Sequence, residues 1–266
     1  MNMQDFKETV WDYYRSAGRV LPWRTPEADG SFDAYKILVS EIMLQQTQAA
    51  RVVPKYQSFL EQFPTVQALA AAPLADVLVA WSGLGYNRRA RYLHEAAKQL
   101  ADKSQSWSVE DLKACKGVGP NTAAAVVTYA YNQLIPFIET NIRTVFIHHF
   151  FADADKISDK DILLLVEQAL DLEHPREWNW ALMDYGVFVK ATIGNASRAS
   201  KHYAKQSAFE GSKRQVRGQV LKALHTRPRS RAELLNLIVD RRLESVLSDL
   251  LQEQLITETK VGISLG

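Results

Sequence analysis

From Phe6 to Leu251 the apolar residues recur at helical spacing, and a period of two appears only from Ile256 onward. A chain patterned this way has no sheet to build on and must bury helix against helix. Phe6, Val10, Tyr13 and Ala17 mark one face of an opening helix that Gly18 and Pro22 end. A second helix is expected over residues 35–46, and a third stretch is expected to break at Pro54 and stop at Phe63-Pro64. Leu74, Val77, Leu78 and Trp81 fall at i, i+3, i+4 and i+7, with Gly83 and Gly85 behind them. Residues 88–100 form a further helix, and Ser108 to Asp111 read as a capping box. Pro120 suits the first turn of a helix through Tyr129, and helices over 141–150, 159–170 and 178–189 complete the set.

From about Lys213 the character changes. Three short amphipathic helices, marked by Val216 to Leu224, Leu234 to Ile238 and Leu243 to Leu251, precede two alternating segments that read as a hairpin. Three helices and a hairpin predict a small winged-helix-like domain over 212–266. At 266 residues the chain has room for it beside a main helical domain over 1–211, joined through a Ser-, Ala- and Lys-rich stretch.

Composition narrows the class. One cysteine, Cys115, excludes internal disulfides and any all-cysteine metal site within one chain, and no metal ligand set is expected. No apolar run reaches about 18 residues, so no membrane partner is expected, and the first residues lack the basic and apolar blocks of a secretory signal. The expected location is the cytoplasm, at the nucleoid in a prokaryote. Net charge is only +2, but it is unevenly spread. Residues 190–231 hold eleven of the 32 basic residues and one of the 30 acids, leaving 21 and 29 elsewhere. A positive stretch on a mildly negative body suits a polyanion, although a solvated linker has the same look.

Three constellations carry chemistry. In Lys116-Gly117-Val118-Gly119-Pro120-Asn121 two glycines open an Ala-rich helix, which suits either an ordinary helix–helix turn or a backbone cradle for phosphate. Glu139 stands at the mouth of the next helix, with Asn141 and Arg143 inside it. There it either stabilises the helix or, near a reacting sugar, supports positive charge at the anomeric carbon. Glu41 lies among Ile37, Leu38, Ile42 and Leu44, with Gln45 one turn on along the same face. Burial there would favour its protonated form, as a general acid needs; a solvent-facing glutamate is the other reading.

Taken together, Leu21-Pro22-Trp23-Arg24, the Ser40-to-Gln48 block with Gln45-Gln46-Thr47-Gln48, Gly83-Leu84-Gly85-Tyr86, the glycine hairpin and Met183-Asp184-Tyr185-Gly186 resemble the helix-hairpin-helix/GPD DNA glycosylases, nearest their adenine-specific branch. The resemblance covers residues 21–189. It implies two helical subdomains with a cleft between them and hydrolysis of an N-glycosidic bond after base flipping in double-stranded DNA. It implies Glu41 as the general acid and Glu139 at the place of the catalytic carboxylate. Gln45 and Gln46 would fill the gap left by the flipped base, and Tyr86 would wedge beside the opposite base. Gly117, Val118 and Gly119 would hold phosphate, in many members through a monovalent cation. Asn121 falls where bifunctional relatives carry a Schiff-base lysine, so strand cleavage is not expected. Arg24 and Trp180 fall at the base pocket, and the enzyme is expected to act as a monomer.

The departures are as specific. Four cluster-binding cysteines of most relatives are here Lys190, Ser197, Ser200 and Gln206, so no [4Fe–4S] cluster and no other cofactor is expected. Arg198 and Lys201 keep that loop basic. Glu139 replaces an aspartate, Trp180 stands where a base-reading Gln or Glu is common, and the tail replaces a Nudix-like domain. Adenine opposite 8-oxoguanine or guanine is the first substrate expected. A damaged or mispaired pyrimidine (uracil, thymine, 5-hydroxyuracil) is the alternative, and an inactive DNA-binding relative the third reading.

Overall fold

The computed structural model describes residues 1–103, 106–151, 154–205 and 208–266. Among them are α1 (Met3–Ala17), α2 (Ala34–Leu44), α3 (Ala49–Gln62), α4 (Val66–Ala71), α5 (Leu74–Ala80), α6 (Arg88–Leu100) and α7 (Val109–Ala114). Then come α8 (Pro120–Tyr131), α9 (Thr140–Phe150), α10 (Asp159–Ala169) and α11 (Pro175–Thr192). The tail holds α12 (Lys213–Ala223), α13 (Arg231–Leu237), α14 (Leu243–Gln252), β1 (Ile256–Thr259) and β2 (Gly262–Leu265). The protein is mainly α, as expected.

Two compact units divide the chain. One comprises Met1–Ile37, Trp107–Lys113 and Gly119–Lys205. The centre of its core is α8, in which every residue from Ala123 to Ala130 is buried. An aromatic cluster supports it elsewhere: Phe6 of α1 lies 5.1 Å from Phe146 of α9 and 6.2 Å from Trp178 of α11, centroid to centroid. Rings of this size each contribute about 1.5–3 kcal/mol on full burial, with edge-to-face contacts adding to that. Helix α11 begins three residues earlier than the apolar pattern indicates, because Pro175 occupies its first turn, where the missing N–H costs nothing.

The other unit comprises Leu38–Ser106, Ala114–Val118 and Gln206–Gly266. Helix α3 runs through Pro54 rather than breaking there. Its buried residues Val52, Tyr56 and Phe59 keep helical spacing across the proline, and Ala50, whose carbonyl loses its helical partner, is exposed. In the tail, three helices and an antiparallel hairpin enclose Val220, Leu234, Val246, Leu247, Leu250 and Ile263. The register pairs Ile256 with Leu265 and Thr259 with Gly262, and Arg229 adds a bridge to Ile263.

Candidate active site and DNA interface

Glu41 lies in α2 with its flanking residues Ser40 and Ile42 at 0% and 2% exposure, and is itself 9% exposed. The inward reading is therefore the one realised. Helix α2 ends at Leu44, so Gln45 and Gln46 occupy a turn and not the helical face shared with Glu41. The cause is Arg89, at the head of α6. Its Nη1 donates to the carbonyls of Ile42 (2.8 Å), Met43 (2.9 Å) and Gln45 (2.6 Å), taking the groups that a continued helix would have used. Its Nη2 donates to Thr47 Oγ1 (3.1 Å) and to the carbonyl of Gly85 (3.1 Å). One guanidinium thus ties the Gln45-Gln46-Thr47 turn to the Gly83-Leu84-Gly85-Tyr86 turn. Burial lowers the Arg89 pKa to about 10, which leaves it charged near neutrality.

Both turns carry unusual backbone. Gln46 has φ +57° and Tyr86 φ +47°, the left-handed region that side chains other than glycine seldom adopt. Tyr86 is half-buried, with the Arg89 and Arg214 guanidinium carbons 5.5 and 5.4 Å from its ring centroid. Arg214 Nη1 also donates to its hydroxyl at 2.6 Å. In the same unit, Gln45 Nε2 donates to the Gly117 carbonyl at 3.4 Å. Gly117 has φ +87°, and a Cβ there would lie 2.5 Å from Tyr92 Cδ2. The Val118 side chain is buried, and its N–H closes the turn onto the Cys115 carbonyl at 3.1 Å.

In the first unit, Gly119 precedes Pro120 as the N-cap residue of α8, at φ −81°, and a Cβ on it would meet nothing within 4 Å. Asn121 Nδ2 donates to the Ile138 carbonyl at 2.7 Å, and its Oδ1 accepts from the Ile138 N–H at 3.5 Å. Asn121 is therefore a brace on the segment that delivers Glu139. Glu139 is the N-cap residue of α9, but its side chain makes no capping hydrogen bond. Two residues on, Asn141 Oδ1 accepts from Lys190 Nζ of α11 at 2.6 Å. Burial, and then the charge of Arg143, lower the Lys190 pKa.

Arg24 and Trp180 lie together in this unit, both tightly engaged. Arg24 grips Asp184 through Nη1–Oδ2 and Nη2–Oδ1, each 2.8 Å, and its guanidinium carbon stands 5.3 Å from the Trp180 ring. Trp180 is 6% exposed and also meets Phe32 and Tyr129. Burial raises the Asp184 pKa, but hydrogen bonds and charge from Arg24, with Arg19, outweigh it and hold the carboxyl below its usual range. Of the four positions that match cluster cysteines, Lys190 pairs with Asn141, Ser197 Oγ donates to Asn195, and Ser200 Oγ accepts from the His202 N–H. An amine and two hydroxyls supply no thiolate, so these residues do not fit an iron–sulfur cluster. Gln206 lies outside the described residues. Arg198 and Lys201 are exposed.

Arg89, which with Ala90 and Arg91 belongs to the motifs that carry the resemblance, is a residue to which motif reading gave no role. Its signal was present: it heads the buried stripe of Leu93, Ala96, Ala97 and Leu100, an odd place for a cation. Arg214 had no such signal, because its partner lies 128 positions away.

Residues 109–131 form a helix–glycine turn–helix segment set among other helices, and the comparisons give it a family. Residues 39–169 match the HhH-GPD superfamily of base excision DNA repair proteins. The adenine DNA glycosylase of Mycolicibacterium smegmatis is 36% identical over 276 residues, covering 91% of this chain and 90% of that one. That of Mus musculus is 34% identical over 234 residues, 84% of this chain and 44% of that one. The chain therefore belongs to the HhH-GPD superfamily and is a DNA glycosylase. Among solved structures, a thermostable thymine-DNA glycosylase shares the fold, with TM-score 0.60 at 21% identity over 76% of this chain and 96% of that chain. An endonuclease III in a non-covalent DNA complex does so with TM-score 0.52 at 17% identity, over 72% and 87%.

Proposed function

We propose that the protein removes adenine mispaired with 8-oxoguanine or guanine, by hydrolysis and without cutting the strand. The observation that carries this reading is the 36% identity to a protein named adenine DNA glycosylase, spread over nine-tenths of both chains. The chemistry divides among named residues. Glu41, buried in α2, is the acid that protonates the leaving base. Glu139 stabilises the positive charge that develops on the sugar as the N-glycosidic bond breaks, and water completes the displacement. Asn121 has no amine with which to form a Schiff base and is occupied with Ile138, which supports monofunctional action.

DNA is held and opened by the turns. Gln45 and Gln46 fill the gap left by the flipped base, and Tyr86 wedges beside its former partner. The open space at Gly119, before the N-terminus of α8, suits a backbone phosphate, with or without a monovalent cation. Exposed Arg198 and Lys201 add backbone contacts without a metal cluster. The tail serves as a winged-helix-like domain, and the enzyme works as a monomer at the nucleoid. The pyrimidine reading draws in part on Trp180 stacking against a base, and the packing of that ring among Arg24, Phe32 and Tyr129 leaves it little free face for the purpose.

Duplexes carrying A opposite 8-oxoguanine or guanine, and uracil, thymine or 5-hydroxyuracil opposite guanine, separate the readings. Strand breaks that appear only after alkali treatment, and only in the adenine duplexes, are expected. No release of adenine from any mispair overturns the proposal. Glu41→Gln should lower base release by about 10²–10⁴-fold while the duplex is still bound.

A further inference from the structure

Tyr86 pays a conformational cost for its φ of +47°, and such a backbone persists only where its surroundings over-determine it. Arg89, its near neighbour in sequence, holds the carbonyl of Gly85. The hydroxyl end is held from elsewhere. Arg214, in the first turn of α12, donates to Tyr86 Oη at 2.6 Å, a short charge-assisted bond, and lies 5.4 Å from the ring centroid.

The tail is anchored beside this contact. Glu253, just past α14, accepts from Arg217 Nη1 at 3.1 Å and pairs with Arg88 at 3.3 Å. The Glu253 carbonyl accepts from Arg91 Nη1, and Arg91 Nη2 donates to Gln254 Oε1 at 2.6 Å. Arg88 and Arg91 belong to the first turn of α6, which starts two residues after Tyr86. Glu253 is only 15% exposed at its side chain, so this is a partly desolvated cluster and not a loose surface pair. A tail serving only as a separate DNA module would have no need to reach the wedge residue.

We propose that the C-terminal segment is a positioning element of the DNA-reading surface, in which Arg214 holds Tyr86 ready to enter the duplex. The segment then sharpens recognition of the lesion through Tyr86 and not through a phosphate contact made by Arg214. This rests on the reading of Tyr86 as the wedge.

Affinity of the full chain is measured for two duplexes: one with a tetrahydrofuran abasic analogue opposite 8-oxoguanine, the other fully paired. Arg214→Met and Tyr86→Phe are each expected to lower the ratio of the two affinities about tenfold, the scale of a lost charged hydrogen bond. The double variant should lose no more than the worse single one. General destabilisation does not produce this pattern, because it lowers the binding-competent fraction equally for both duplexes. The slope of log affinity against log salt should be unchanged in Arg214→Met. Additive losses, or a slope shallower by about one phosphate contact, overturn the proposal. Tyr86→Ala separates the two layers. If it leaves the ratio intact, the wedge reading fails; if it lowers the ratio and Arg214→Met does not, only the positioning role fails. Tyr86→Phe removes a single oxygen and carries the test should Arg214→Met fold poorly.

Discussion

Gly117 and Gly119 have different physical reasons to be glycine. Gly117 answers to the fold: its φ is +87°, and a methyl group would press on Tyr92 at 2.5 Å. Gly117→Ala should cost about 1–3 kcal/mol in urea unfolding, since strain and overlap act together. Gly119 has an ordinary φ of −81° and open space around it, so the fold alone does not require the missing side chain. Gly119→Ala should cost less than about 1 kcal/mol, the scale of an N-cap change, yet weaken duplex binding about tenfold through lost phosphate approach. Equal effects of the two substitutions on stability would contradict this division. Spacing alone exposes the pair of glycines but not the difference, which depends on where Tyr92 sits.

At the scale of elements, Arg89 joins two turns that sequence shows only as separate motifs. The Gln45-Gln46-Thr47 turn looks like one more step of helix α2 because Leu44 is apolar and glutamine is a good helix former. What stops the helix is a guanidinium from α6, some forty positions away, that outcompetes the next helical N–H groups for the carbonyls. Local patterns cannot register such a partner. By contrast, the spans of α6 and α9 were legible within a residue, and so was the end of α1 before Gly18, since their buried faces follow the 3.6-residue period. The burial of Glu41 was legible as one of two options, from the apolar residues around it. Arg89→Met should leave at least four acceptors without their donor. We expect a loss of about 3 kcal/mol or more in thermal or urea unfolding. Amide hydrogen exchange should accelerate at residues 45–47 and 83–87 before it does elsewhere. Uniform acceleration across α2 and α6 would mean that the clamp is no more than part of the general core.

For the molecule as a whole, acid is the condition most open to prediction. His149, against Tyr185 and Phe6, has its pKa lowered to about 4, first by burial and then by the charges of His148 and the N-terminus. In the unfolded chain it titrates near 6.5. The folded state therefore favours the neutral ring. Its contribution is complete above about pH 6.5, declines as the pH falls below that, and is gone below about 4. Burial also lowers His94 and His225, which adds to the same trend. The melting temperature should fall between pH 6.5 and 4, and less steeply in His149→Gln; an identical slope would assign the acid sensitivity to other groups. A different vulnerability follows from the way the two compact units are threaded. Each draws on three stretches of chain, and neither is finished until late: one needs residues up to Lys205, the other up to Gly266. During vectorial synthesis the segment bearing Glu41 leaves the ribosome long before the tail that completes its unit. A nonsense codon in the middle of the gene would therefore leave a chain with Glu41 in place but no finished unit around it. Such a product is a target for proteolysis and not a partly competent enzyme.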